Sequence, residues 1–180
     1  MQYGAAAMNA QPVLAPAFTI APEQADQARA VDAVVERAFG PGRYAKVSER
    51  LREGNRQRLD LSFAAVAAGE VIGGVRLWPV MVGESRGLFL GPIAVEGAWR
   101  KHGIGGALME HAIRAASAAG EPFILLVGDL PLFAPHGFEV APMGRVVLPG
   151  PVDPRRVLWL ALRSAGLDGV AGQVHVPRDG

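Results

Sequence analysis

Apolar and polar positions alternate along this chain with two periods, and the longer period predicts three helices. From Gln24 to Phe39, apolar side chains recur every three or four residues, which predicts an amphipathic helix closed by Gly40-Pro41-Gly42. A shorter, more polar helix is predicted from Tyr44 to Arg52. The pattern is clearest over residues 105–119, where Gly120 ends the helix.

Short apolar runs bounded by turn residues predict strands. In chain order they are Phe18–Ile20, Leu61–Ala68, Val71–Val80, Gly87–Val95, Phe123–Val127, Phe138–Val140 and Val157–Leu162. Gly69-Glu70 joins two of them as a hairpin, and a turn over 81–86 leads into the next strand. Because a helix separates the strand at 88–95 from Phe123–Val127, these two strands are expected to be parallel neighbours. The sequence therefore predicts an α/β (α+β) fold with a mixed, mainly antiparallel sheet and helices on both faces.

The ends of the chain lack this periodicity. Residues 1–16 are rich in Ala, Pro, Gln and Asn and predict a poorly ordered leader. Residues 17–162 hold the predicted elements and are expected to form a single domain. Residues 163–180 predict an extended C-terminal tail with local packing through Val170, Val174 and Val176.

Composition excludes several classes of function. The 180 residues are 50% hydrophobic and 19% charged, as in an ordinary globular domain. A net charge of +1 argues against an extended nucleic-acid surface. Without cysteine, disulfides, thiolate metal sites and a cysteine nucleophile are unavailable. No apolar run approaches the length of a membrane span, so the cytoplasm is the expected compartment. A homodimer is compatible with the sequence.

The candidate chemistry lies in a glycine-rich, basic connection, Arg100 to Gly106, between a strand and a helix. Successive backbone N–H groups there can point at one spot beside the positive end of a helix dipole, which favours an anion and most naturally a phosphate. Glycine at 103 and 105 lets a ligand approach the backbone closely, and Arg100 and Lys101 add charge at the rim. The alternative is a glycine-rich turn that enters an ordinary helix.

The pattern Arg100-x-x-Gly103-x-Gly105 after an apolar strand resembles the pyrophosphate-binding signature of the GNAT superfamily of acetyl-CoA-dependent N-acetyltransferases. The resemblance continues through the strand Phe123–Val127 and the motif His136-Gly137-Phe138, and it covers Phe18 to about Leu162. It implies a GNAT-like fold in which the two parallel strands splay apart and the pantetheine arm of the cofactor lies in the gap.

The same resemblance implies site residues and a reaction. It assigns the main chain of Ile93, Ala94 and Val95 to pantetheine, and it assigns the pyrophosphate to Arg100, Lys101, His102, Gly103, Ile104, Gly105 and Gly106. It implies acetyl-CoA as co-substrate, no metal, and direct attack by a primary amine of a small molecule or a protein. An amine acceptor of this kind cannot be identified from loop sequences.

Proton transfer is where the chain departs from the family. Many members place a tyrosine where this sequence has Phe133, and the nearest titratable substitute is His136. Glu96 and Asp129 end the two predicted parallel strands and are candidate bases. Each candidate also has a structural reading: His136 as a surface or packed residue, Glu96 as a solvated charge, and Asp129 as a turn or helix-capping residue.

A basic cluster follows the first predicted helix. It comprises Arg43, Lys46, Arg50, Arg52, Arg56 and Arg58. Such a cluster is commonly a solvated face, and the functional alternative is contact with an acidic acceptor or with the adenosine end of the cofactor.

Three hypotheses of function follow. The first is an N-acetyltransferase, and the second is a catalytically weak acyl-CoA-binding module that kept the phosphate loop but lost the acid at Phe133. The third, a nucleotide-binding protein, is disfavoured because the loop is not Gly-x-Gly-x-x-Gly after a first strand.

Overall fold

The computed structural model describes residues 17–178, so the predicted leader lies outside the described residues. Within them, nine strands form one sheet with helices on both faces, which confirms the predicted fold class. The strands are β1 (Thr19–Pro22), β2 (Phe63–Ala67), β3 (Glu70–Val82), β4 (Ser85–Val95), β5 (Phe123–Val127), β6 (Glu139–Val140), β7 (Val146–Val147), β8 (Val157–Ala161) and β9 (Gly172–His175). The α-helices are α1 (Ala28–Phe39), α2 (Val47–Arg50), α3 (Ile104–Ala118) and α4 (Leu130–Phe133).

The sheet order is β1-β2-β3-β4-β5-β8-β6, and β4 and β5 are its parallel neighbours as predicted. Their pairing is confined to Leu88 with Ile124 and Phe89 with Leu125. Because β4 continues to Val95 without pairing further with β5, the two strands diverge beyond this point. A second, short parallel contact joins β7 and β9.

A β-bulge lies at the start of this divergence. On the antiparallel partner β3, Val75 pairs with Ile93 and Leu77 pairs with Leu90, so Gly91 and Pro92 together oppose a single residue of β3. The bulge changes the direction of β4 at the point where β4 separates from β5.

Two consecutive glycines of β3 set how closely helices approach the sheet. A Cβ atom on Gly73 would lie 3.3 Å from Cδ1 of Leu108 in α3, and one on Gly74 would lie 2.8 Å from Cγ1 of Val31 in α1. Because successive residues of a strand face opposite sides, α3 and α1 press on the two faces at the same point. One apolar cluster of the core includes Phe89 and Trp159 together with Ala141 and Leu148 from the segment that follows β6.

Two predicted boundaries are wrong. The helix expected over Tyr44–Arg52 is a 3-10 turn over Pro41–Ala45 followed by the single turn α2, because Lys46 between them is extended, with φ −77° and ψ 144°. The turn expected over 81–86 is shorter, because β3 runs on to Val82 and pairs there with Ser85 of β4.

The C-terminal segment is more than an extended tail. Its strand β9 pairs with β3 through Met81 with His175 and Val82 with Val174. Val170 and Val174 are buried, each 2% exposed, as their predicted local packing requires. Arg145 binds the segment that precedes β9. Its guanidinium donates hydrogen bonds to the carbonyls of Val170 and Leu167, at 2.9 and 3.2 Å. The segment therefore contributes to the core of the domain.

Candidate active site

The predicted phosphate loop, residues 100–106, runs into the N-terminus of α3, a helix of 15 residues. Gly103 is the N-cap with φ 76°, a left-handed conformation, and Lys101 also has a positive φ of 68°. The first hydrogen bond of the helix runs from the N–H of Ala107 to the carbonyl of Gly103 at 3.0 Å. Among residues 17–178 no acceptor takes the N–H groups of residues 104–106, which leaves them available to an anion.

Packing does not explain the glycine at 105. A Cβ atom there would meet only Cγ2 of Val95, at an ordinary contact distance of 3.9 Å. At Gly103 a Cβ atom would meet nothing within 4 Å, and its positive φ is the reason for glycine. The fold would therefore accept a side chain at 105, whereas a ligand on the backbone would not.

The basic side chains of the loop stay at its rim. The Nε of Arg100 lies 3.4 Å from the carbonyl oxygen of Val95, and Lys101 is exposed. His102 is also exposed, and its Nδ1 lies 3.0 Å from the carbonyl oxygen of Arg100. These positions agree with the expected addition of charge around a backbone site.

A cleft of about 600 Å³ opens where β4 and β5 diverge. Its walls come from β4, from the C-terminal end of β5 with α4, from α1 and α2, and from the loop 150–156. Ile93 lines the cleft, while Val95, two residues further along β4, lies against the start of α3. The side chain of Ala94 faces α1 instead. The strand thus connects the phosphate loop with the cleft.

The carbonyl of Gly91 in the bulge is held by two side chains. It accepts a hydrogen bond of 2.7 Å from the indole Nε1 of Trp78 and one of 3.1 Å from Nε of Arg52. Arg52 also forms an ion pair with Glu49, and burial lowers the pKa of its guanidinium. Sequence reasoning missed these contacts, because Trp78 and Arg52 give no motif that points to a carbonyl elsewhere in the chain.

Of the three predicted catalytic side chains, Asp129 is the one in the cleft. Its Oδ1 lies 3.0 Å from Nε of Arg156, and its side chain is 63% exposed. Phe133 lines the same wall. Its ring packs over Gly128, where a Cβ atom would lie 2.3 Å from the ring, and it meets Phe138 edge-on at a centroid distance of 5.9 Å.

Glu96 and His136 lie outside the cleft lining. Glu96 accepts a 2.9 Å hydrogen bond from Nε of Arg37 in α1, and this bond raises the pKa of the guanidinium. His136 lies beside the first turn of α3, where a Cβ atom on Gly106 would be 3.8 Å from its Cε1. The imidazole is therefore a neighbour of the phosphate loop.

Two further searches covered residues 17–178. They contain no group of three or more His, Cys, Asp or Glu side chains arranged to hold a metal ion. No helix in this range is both long enough and apolar enough to cross a membrane.

Among the described residues, N–H groups without acceptors at a helix start are joined by a bulged strand to a cleft between diverging strands, an arrangement suited to a long, phosphate-bearing ligand. The family described as the acetyltransferase (GNAT) family matches residues 28–138, and this chain belongs to that family.

Individual relatives agree with this assignment. An uncharacterized N-acetyltransferase of Escherichia coli K12, YhbS, is 32% identical over 113 residues, which are 62% of this chain and 67% of that protein. The crystal structure of Escherichia coli YhbS in complex with CoA matches with a TM-score of 0.75 at 26% identity, over 93% of this chain and 92% of that one. A GNAT family acetyltransferase of Brucella melitensis in complex with acetyl-CoA matches with a TM-score of 0.58 at 27% identity, over 84% and 99%.

Proposed function

We propose that this chain transfers the acetyl group of acetyl-CoA to a primary amine of a small molecule or a protein. The observation that carries the proposal is the start of α3, where three N–H groups lack acceptors among residues 17–178 and Gly105 is not required by packing. The CoA and acetyl-CoA bound by the two similar crystal structures support the same co-substrate. Residues 100–106 would hold the pyrophosphate, and the main chain of residues 93–95 would hold the pantetheine arm.

The reaction forms a bond between the acceptor nitrogen and the acetyl carbonyl carbon, breaks the carbon–sulfur bond, and requires one proton to leave the nitrogen and one to reach the thiolate. The chain contributes position, because the loop and the cleft lie at two points along β4. Asp129 is our candidate to take the proton from the amine. Its Oδ1 is engaged by Arg156 at 3.0 Å, and water shares the task.

Glu96 and His136 remain predicted participants in proton transfer, although their places support other roles. The ion pair of Glu96 with Arg37 favours a structural role for that carboxylate. The place of His136 beside α3 favours contact with the cofactor over protonation of its sulfur. The cytoplasm as compartment and a homodimer as assembly also remain predictions.

Cofactor binding is tested at Gly105. Replacement by Val places a branched side chain between ligand and backbone, and we expect the affinity for CoA in calorimetry to fall at least about tenfold, the equivalent of 1.4 kcal/mol. Gly97→Val is the matched control, because a Cβ atom there meets nothing within 4 Å and the residue precedes the loop. An unchanged affinity in folded Gly105→Val would refute the proposed phosphate site.

A catalytically weak acyl-CoA-binding module is the second candidate, and Phe133 is the observation that favours it. The ring lines the cleft where many family members carry a hydroxyl, and it has no proton to give. Release of free coenzyme A over a panel of amines separates the candidates. Tight binding of acetyl-CoA with release no faster than hydrolysis in buffer would favour the binding module.

A further inference from the structure

The basic cluster seen in the sequence is divided by the fold, and its larger part faces the cleft. Arg43, Lys46, Arg50 and Arg52 line the cleft, together with Arg156 from the opposite wall. Arg58 is engaged elsewhere, in ion pairs with Asp60 and Glu121. Arg56 is exposed and is not part of the lining. The wall opposite the end of β5 is therefore strongly basic.

The acidic side chains of the cleft do not balance this charge. They are Glu49, Asp129 and Asp153, and each is bound by an arginine: Arg52, Arg156 and Arg155. Within the described part of the chain, every carboxylate of the cleft is thus already paired with a guanidinium. A doubly charged acceptor such as a polyamine would have to compete with these arginines for the carboxylates.

Several basic groups, in contrast, have donors to spare. Nη1 of Arg43 lies 3.7 Å from Oε1 of Glu49, the same oxygen that pairs with Arg52. The side chain of Arg43 is only 13% exposed. Its Nε is buried without a hydrogen-bond partner among residues 17–178. The ammonium of Lys46 lies 5.3 Å from the ring centroid of Phe39, and within the same residues it has no carboxylate partner. Nη2 of Arg43 donates to the hydroxyl of Tyr44 at 2.8 Å. Among these residues its one carboxylate partner lies at 3.7 Å, so this largely buried cation is weakly neutralised, which favours an anion in the cleft.

We propose that the acceptor is an amine that also carries a carboxylate or phosphate group, and that Arg43 and Lys46 bind this anion. The inference rests on the proposed function, because it names the class of acceptor for the same cleft. Guanidinium and ammonium donors bind carboxylate and phosphate oxygens through charge-assisted hydrogen bonds. The exposed ring of Phe39, which lines this wall, adds apolar contact for the rest of the acceptor.

The basic wall also serves the reaction. A positive environment disfavours the ammonium form of a bound amine, because like charges repel, so more of the amine is neutral and able to attack. The proton passes to solvent or to Asp129, and a weak base is then sufficient. The same charges thus select the acceptor and prepare its nitrogen.

The test compares acceptors that differ only in the anion, with coenzyme A release as the readout. One panel pairs amino acids with their carboxamides, and a second pairs phosphoethanolamine with ethanolamine. We expect kcat/KM to be at least about tenfold higher for the anionic member, although the amine of a carboxamide is less basic and more reactive in solution. Arg43→Met and the exposed Lys46→Met should each reduce this preference, whereas Arg56→Met should keep it.

Equal or reversed preference in the parent protein, with coenzyme A released, overturns the inference and leaves the proposed acetyl transfer intact. If no amine is turned over, N-acetylated amino acids and their carboxamides are titrated by calorimetry in the presence of coenzyme A. Tighter binding of the carboxylate in the parent, lost in Arg43→Met, supports the inference; equal or absent binding rejects it. Failure to bind coenzyme A at all counts against the proposed function instead.

The competing explanation for the basic wall is that it binds an anion on the acyl group of the cofactor instead of one on the acceptor. Succinyl-CoA in place of acetyl-CoA distinguishes it, with one acceptor held constant. Faster transfer from succinyl-CoA that is lost in Lys46→Met or Arg43→Met would assign the basic wall to the acyl chain and overturn the acceptor assignment. We expect acetyl-CoA to be preferred.

Discussion

Phe133 lines the cleft at the position where the resemblance to the GNAT superfamily predicts a tyrosine. We expect Phe133→Tyr to leave the affinity for acetyl-CoA unchanged, because the ring keeps its packing over Gly128. We expect kcat to rise, since a general acid contributes about 10²–10⁴-fold when it is well placed. Steady-state kinetics with release of coenzyme A measures both. An unchanged kcat would mean that residue 133 does not reach the sulfur.

His136 supplies the contrasting variant. If it contacts the cofactor beside α3, His136→Ala raises KM for acetyl-CoA and leaves the pH dependence of kcat as in the parent. If it protonates the thiolate, kcat falls and the pH profile loses a limb. The two variants together decide whether any side chain of this segment transfers a proton.

At the scale of elements, an ion-paired triad fastens the turn before β2 to the start of β5. Arg58 binds Asp60 at 2.7 Å and Glu121 at 2.7 Å, and its hydrogen bonds hold the pKa of Asp60 below its ordinary 3.8. A depressed carboxyl pKa stabilises the folded state above the unfolded value and loses this effect as the pH falls through the folded value. The stabilisation that Asp60 contributes to this triad is therefore lost in acid.

We expect Asp60→Asn to lower the free energy of unfolding at neutral pH by a few tenths to about 1 kcal/mol, as for other solvent-accessible pairs. Urea titrations at neutral pH and at about pH 3 measure the change. The difference from the parent should shrink in acid. Asp26→Asn is the control, because that exposed carboxylate has no ion pair among the described residues. A difference that persists unchanged in acid would show that the pair is not its source.

Elements with strong periodicity could be predicted, and contacts between distant elements could not. The helix near Ile104 and the apolar strand Phe123–Val127 are found close to their predicted places. Each was predictable because the pattern of apolar residues within the segment itself indicates which residues are buried. The strand β9 was missed as a strand because it has four residues and begins with glycine. The ion pair of Arg37 with Glu96 joins residues 59 positions apart, and no local pattern encodes it.

The candidate site divides in the same way. A phosphate loop could be proposed from the sequence because such a site depends on the backbone of one short segment, here Arg100 to Gly106, and it stays a prediction. The charge balance of the cleft was not, since it depends on which arginine reaches which carboxylate after folding. The sequence indicated a basic cluster, and the fold separated Arg43 and Lys46 from Arg56.

At the scale of the molecule, the C-terminal segment tests where the domain ends. Val174 in β9 is 2% exposed, and Val174→Ala should lower the free energy of unfolding by about 2 kcal/mol through lost burial. Val147→Ala, at a residue that is 44% exposed, is the matched control and should change it much less. Thermal or urea unfolding gives the values. Equal stability of both variants with the parent would place the boundary before β9.

The paired glycines of β3 have a consequence for reach. At Gly73 and Gly74 the strand presents no side chains, so Leu108 of α3 on one face and Val31 of α1 on the other approach its backbone closely. The proposed phosphate site lies at the start of α3, and α1 leads to the basic wall of the cleft. These glycines therefore help to set the distance between the proposed phosphate site at α3 and the cleft beside α1. A bound cofactor would have to span that distance. Larger residues at either position would lengthen that span, and a cofactor arm of fixed length would no longer bridge it.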